Sequence, residues 1–287
     1  SSCARKFVQK LGRRAFRRPL SDAELDKYTQ LANTAASKLN DFYAGLELAL
    51  AGLLQSPNFL FRVDLAEPDA KDASRLQYSP YELASRLSYA LWNTTPDDAL
   101  LDAAQSGKLD PAGLTSAVDR LLADGRAKLA LDNFHVERLG LAELDTLDKD
   151  ASIVDMTDGL RAALRDDVLK TFALYAAEGQ DFLRVFDSRT VFVNAELADV
   201  YGLSSRPSSL MRAELGANVP RLGFLGKPAF LALNAHATES SPTKRGKYIR
   251  ERVLCQSIPA PPANVVPAGS PPSFATMATL SRSSILM

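Results

Sequence analysis

Apolar residues along this chain recur mainly at three- and four-residue spacing, which predicts a succession of short amphipathic helices. Phe7, Leu11 and Ala15 mark the first, over 4–18, which Pro19 ends. Ser21 and Glu24 form a capping-box pattern that opens a second helix through Leu25, Tyr28 and Leu31. A third runs over 41–55 with Phe42, Leu46, Leu50, Leu53 and Leu54, and breaks at Ser56 and Pro57. The following NFLFRVDL alternates only partly and reads as an extended strap, since no second strand pattern lies close by. Ser79, Pro80 and Glu82 then start a helix striped by Leu83, Leu87, Ala90 and Leu91, with Trp92 closing its end. Further helices start at Thr95 and Pro96, at Asp110 and Pro111, and at Arg126. A long helix over 159–177 carries Leu160, Leu164, Val168, Phe172 and Tyr175, with Asp166 and Asp167 expected on its solvated side. After it come a short helical turn, an extended TVFV, and a helix capped by Asn194 and stopped by Gly202.

Short helices joined by tight turns stack as neighbours, so the expected fold is mainly α, a multi-helix bundle or irregular helical array with long ordered loops. Breaks in the pattern divide the chain into a basic helix plus helical hairpin over 1–66 and a central helical domain over 67–203. They continue with a C-terminal loop, basic helix and proline-rich strap over 204–265, and a poorly ordered tail or linker over 266–287. Within the third segment, the serine-rich 204–220 reads as an exposed connection.

Composition changes this picture only at its edges. Lys plus Arg and Asp plus Glu number 34 each among 287 residues, so no global field recruits nucleic acid or an anionic membrane. No apolar run is long enough to span a bilayer. The chain opens on Ser1 without a leader pattern, as a processed or trimmed piece would. Seven basic residues and no acid fall within the first 18, and a solvated or acid-paired face explains them better than a nucleic-acid interface, for which no groove-binding motif is present.

G-x-S-x-G, Walker, G-x-G-x-x-G, H-E-x-x-H and C-x-x-C-H motifs are all absent, which argues against several large enzyme classes. Carboxylates assembled in space remain open, and no metal site is expected because Asp166 and Asp167 gain no third ligand at helical spacing. Asp132 and His135, three residues apart on one helix beside Arg138, form a weak candidate acid/base pair or simply part of an amphipathic face. The densest stretch is 221–262. There Ser241 and Pro242 predict a helix start, and Lys244, Arg245, Lys247, Arg250 and Arg252 make the helix basic. His236, in the loop just before it, can join Lys244 and Arg245 in an anion site, or be a structural imidazole satisfied by a backbone carbonyl. Gly223, Gly226 and Gly246 read as turn and close-packing residues. Cys3 and Cys255 are either two buried thiols or the ends of one very large disulfide loop.

Five segments together carry a resemblance: CARKFVQKLGRRAFRRPLSDAEL, TVFVNAELADVYGL, RLGFLGKPAFLALNAHA, SSPTKRGKYIRERVLCQ and IPAPP. With them the chain resembles secreted bacterial proteins, abundant in planctomycetes and myxobacteria, built from serial domains of unknown function. The domain types are 1595 at the N-terminus, 1592 in the middle and 1588 at the C-terminus, often fused to c-type cytochrome segments. The resemblance brings no assigned catalytic residue. It implies a secreted, periplasmic or cell-surface location, in which the Cys3–Cys255 disulfide is the favoured alternative, with stabilisation of roughly 4 to 5 kcal/mol in the chain-entropy model. It implies no cofactor in this chain, but a haem c on a flanking segment of the same full-length protein, which this helical core would support in electron transfer. His236 then gains a third role as a haem-proximal residue or iron ligand. The alternative is a non-catalytic binding module for a cell-surface, polysaccharide or protein ligand.

Overall fold

The structure, a computed structural model, describes residues 2–62, 64–69, 72–177 and 181–259. The chain is predominantly helical and divides into two compact units, Ser1–Ala130 and Leu131–Met287.

In the first unit, α1 (Ser2–Ala15), α2 (Asp22–Leu39) and α3 (Phe42–Leu54) enclose a core that includes Val8, Phe16, Leu25, Tyr28, Ala49 and Leu53. The capping box closes as the sequence predicts: Glu24 N–H donates to Ser21 Oγ at 3.3 Å, and Ser21 N–H donates to the Glu24 carboxylate at 2.9 Å. The basic face of α1 is acid-paired. Arg5 meets Asp26, Arg13 meets Asp102 at 2.5 Å, and Arg18 grips Glu24 through two bonds of 2.8 and 2.9 Å. Arg17 turns inward and donates to the carbonyls of Asn58 and Phe61 at 2.6 and 2.9 Å, so it clamps the one-turn helix α4 (Pro57–Leu60). Beyond α4 the described residues are extended, as a strap, to the short antiparallel pair β1 (Glu67–Pro68) and β2 (Leu76–Gln77).

The same unit continues with α5 (Pro80–Trp92), α6 (Asp98–Gln105) and α7 (Pro111–Ala123). Ser79, Asp97 and Asp110 cap their N-termini, and the core between them holds Ala84, Trp92, Leu100, Ala104 and Leu121. The indole N–H of Trp92 is satisfied by Leu121 O at 2.8 Å while Arg126 covers its ring at 3.4 Å.

Helix α8 (Gly125–Leu139) runs across the division into the second unit, whose centre is α9 (Asp158–Ala177). Its predicted stripe of Leu160, Leu164, Val168, Phe172 and Tyr175 lies in the largest apolar core. Packed around it are β3 (Thr190–Val193), α10 (Ala195–Tyr201), β4 (Met211–Glu214), α11 (Pro228–Leu233) and α12 (Pro242–Tyr248), which a π turn over Ile249–Val253 continues. The extended TVFV is β3, and its partner is MRAE: Thr190 lies opposite Glu214 and Val193 opposite Met211. Residues 204–220 are therefore more than an exposed connection. Burial of Val191 and Val193 takes backbone donors and acceptors out of water, and β4 supplies their partners. The proline-rich strap is described only to Pro259, without regular structure over 255–259. Pro261, Pro262 and the tail over 266–287 lie outside the described residues. Among the described residues no helix is long and apolar enough to cross a membrane.

Candidate functional site

The segment RLGFLGK, 221–227, is built against the helical turn Phe182–Phe186 and the Ser188 backbone just before β3 by one close approach. Gly223 has φ of 55°, and a Cβ there would fall 2.0 Å from Phe186 O, while its N–H donates to Ser188 O at 2.8 Å. Gly226 packs on the Arg221 backbone, whereas Gly246 borders open space and is not a close-packing residue. This tight loop carries Lys227 into the interior. There its ammonium meets Asp167 Oδ1 at 2.7 Å, with the two side chains 3% and 1% exposed.

Asp167 is the hub of this interior group. Its Oδ1 also accepts Phe192 N–H at 2.7 Å, and its Oδ2 accepts the Tyr201 hydroxyl at 2.7 Å. Lys227 has a second, longer contact to Thr190 O at 3.4 Å. The expectation of a solvated Asp167 is thus corrected: it lies on the helix face that β3, α10 and the 221–227 loop cover. Burial, then the Asp167 charge, holds the Tyr201 hydroxyl well above its ordinary pKa, so it stays a donor. Arg221, itself buried, stacks 5.8 Å from the Tyr201 ring, and burial lowers its pKa. Closed off from solvent, the carboxylate and ammonium cannot reach a substrate; they tie four chain segments together.

His236 lies elsewhere, on a tight hairpin between α11 and α12. Ala235 bridges to Ser240, and His236 N–H donates to Glu239 O at 2.8 Å. The hairpin is held by Lys149, a buried lysine whose ammonium donates to His236 O at 2.9 Å and Ala235 O at 3.2 Å. Lys244 reaches the same Ala235 carbonyl at 3.4 Å. Burial first, and the Lys244 charge second, lower the Lys149 pKa. So the backbone of His236 is anchored while its side chain is exposed, and the expected imidazole-to-carbonyl bond is replaced by a lysine-to-carbonyl one. Lys244 thus reaches the backbone of the residue next to His236. Arg245 is half-buried instead, and its charge acts on Arg221. Lys149 escaped the sequence reading because nothing local distinguishes it from a surface lysine.

Of the candidate pair Asp132 and His135, both on α8, the histidine is closed off from solvent. His135 is 4% exposed and wedged between Phe134 and Phe172, with ring centroids at 5.4 and 4.7 Å. Burial lowers its pKa, against which the Asp132 charge and then a hydrogen bond with the Leu131 backbone act. Arg138, expected beside them, donates to Cys255 Sγ at 3.1 Å. Cys3 and Cys255 are both free, exposed thiols, so the disulfide expected between them is not formed. They are not buried either. Cys255 Sγ is held within its own unit by the Arg138 guanidinium.

Among the described residues no three of His, Cys, Asp and Glu converge as a metal site. Nor do the histidines fit a resident haem: His135 is enclosed by aromatic rings, His236 sits on an open loop, and no C-x-x-C-H exists for covalent attachment.

The described residues thus form two helical units, with a buried ionic hub at Asp167 and Lys227 and an exposed histidine on a lysine-anchored hairpin in the second. Three family models match it in series, each described as a protein of unknown function: PSD5 (DUF1595) over 3–64, PSD4 (DUF1592) over 78–203 and PSCyt3 (DUF1588) over 221–284. The three matched domains follow one another along the chain in the order that the resemblance implies. The middle match runs across the division between the compact units, whereas the last contains Lys227, His236 and Lys244 together. No curated protein and no solved structure matches the chain.

Proposed function

We propose that this chain is the helical core module of a secreted or periplasmic cytochrome-c-associated protein, supporting and orienting a haem c borne on a segment outside it. The observation that carries this reading is the coincidence of the 221–284 match, whose family name points to cytochromes, with an exposed imidazole at His236 on an anchored hairpin. Haem c on that partner segment would supply one-electron transfer. This chain's contribution is position: Lys149 holds the hairpin backbone, and His236 faces outward beside Lys244. Because the sequence holds no C-x-x-C-H, the chain alone is expected to be colourless.

The test is to express the complete gene product with a haem-maturation system and record oxidised and reduced absorption spectra for the wild type and His236→Ala. A covalent haem spectrum that shifts in the variant supports both the redox class and a haem-proximal His236. A haem spectrum indifferent to the variant keeps the class and removes His236 from the iron. Absence of haem overturns the proposal in favour of a binding module.

A further inference from the structure

A cleft of about 340 Å³ opens in the second unit between the turn after α8, at Gly140 and Glu143, and the face of α12 with its π turn. That size suits a small-molecule ligand. Its wall carries Lys244, Lys247 and Arg252, with Tyr248 between them. Carboxylates are fewer: Glu143 stands across the cleft, and Glu251 is engaged by Lys247 at 3.9 Å.

Lys244 and Arg252 have no carboxylate within ion-pair distance among the described residues. Each makes only one long contact, of 3.4 Å, to a backbone carbonyl: Ala235 for Lys244 and Glu137 for Arg252. Most of their donors therefore remain directed at the cleft or at solvent. Lys149 lies behind Lys244 and adds a buried positive charge whose ammonium bonds only carbonyls. Along α1 and the turn after it, by contrast, Arg5, Arg13, Arg14 and Arg18 are each matched to an acid. The π turn is a second departure from the ordinary: such turns are rare, and they concentrate at functional sites.

We infer that this cleft is a binding site for a small organic dianion, with Lys244 and Arg252 receiving its two acidic groups. Eight residues apart on one helical run, the backbone positions of the two cations are separated along its axis by roughly 12 Å. A ligand with its charges at opposite ends spans that distance, and Tyr248 offers an apolar ring face between them. The inference stands whether or not a haem segment accompanies the chain.

Suberate, an eight-carbon dicarboxylate, and acetate as its single-charge counterpart are the probes. Backbone amide NMR shifts are followed on titration of the whole chain at low salt. The expected result is saturable movement at 139–143 and 244–252 with suberate, with acetate at least tenfold weaker. Lys244→Gln and Arg252→Gln should each weaken suberate at least tenfold, with Lys170→Gln, an exposed lysine on α9, neutral. Unchanged melting temperatures would show that the variants fold. Added salt should weaken binding further. Lack of saturable binding, or equal affinity in the Lys244 and Arg252 variants, would overturn the assignment.

Discussion

Lys227 donates to Asp167 across 2.7 Å in a site from which water is excluded, and the same carboxylate receives Tyr201 and the Phe192 backbone. Three donors converge on Asp167, so the pair escapes the penalty that burying an unsatisfied charge would bring.

Removing one partner strands the other. Asp167→Ala or Lys227→Met should destabilise the second unit by about 3–5 kcal/mol, because one buried charge loses its counterion. The double variant Asp167→Ala with Lys227→Met should cost clearly less than the two single losses added together. Urea unfolding followed by circular dichroism measures both. Additive losses would mean that the two side chains do not act as a pair.

Glycine is needed at 223 for two reasons, a positive φ and contact with Phe186 O, and at 202 for one, since no atom lies within 4 Å of a Cβ there. Gly202→Ala should therefore cost about 1 kcal/mol, the conformational penalty alone. Gly223→Ala should cost more than twice that or fail to fold. Thermal melts of the pair separate strain from collision.

His135 gives the second unit an acid weakness. Burial lowers its native pKa below the ordinary 6.5, so as pH falls past 6.5 the unfolded chain gains a proton that the native chain resists. Stability should decline from there and level off once pH lies below the lowered native value. In His135→Phe this limb should vanish from a plot of unfolding free energy against pH. An unchanged profile would place the sensitivity elsewhere.

Glu24 shifts stability in the same direction but at lower pH, because here it is the charged form that the native chain favours. Its bond to Arg18, first, with the Ser21 contacts, holds its pKa at about 2 against an ordinary 4.5. The stabilisation it provides is complete above 4.5 and lost as pH drops through about 2. Wild type should exceed Glu24→Gln in stability at neutral pH, and the two should converge toward pH 2. A constant gap would show that the carboxylate charge is not what matters.

Much of the helical framework is legible in the amino-acid order alone, because its signals are local. A Ser21 hydroxyl needs only a backbone N–H three residues on, Pro111 asks only for a first helical turn, and Gly202 only for a left-handed stop. The stripe on α9 likewise marks which face is buried. The candidate site is legible only in part: the order of residues over 221–262 marks a dense stretch, but not that Lys149 and Lys244 meet on the Ala235 carbonyl next to His236.

What stayed hidden was decided across distance. Asp166 and Asp167 are identical in type and adjacent, yet only one meets a lysine sixty residues later, and nothing local says which. TVFV declared itself extended, but its partner MRAE carries almost no strand pattern and pairs because a buried edge requires hydrogen bonds. Lys149 resembles any surface lysine until the 235–236 carbonyls close over it. Caps, stops and helical stripes are interactions of a residue with its own neighbourhood, so the amino-acid order suffices for them. The burial of a charge depends on what packs against it, and that is settled only when the chain has folded back on itself.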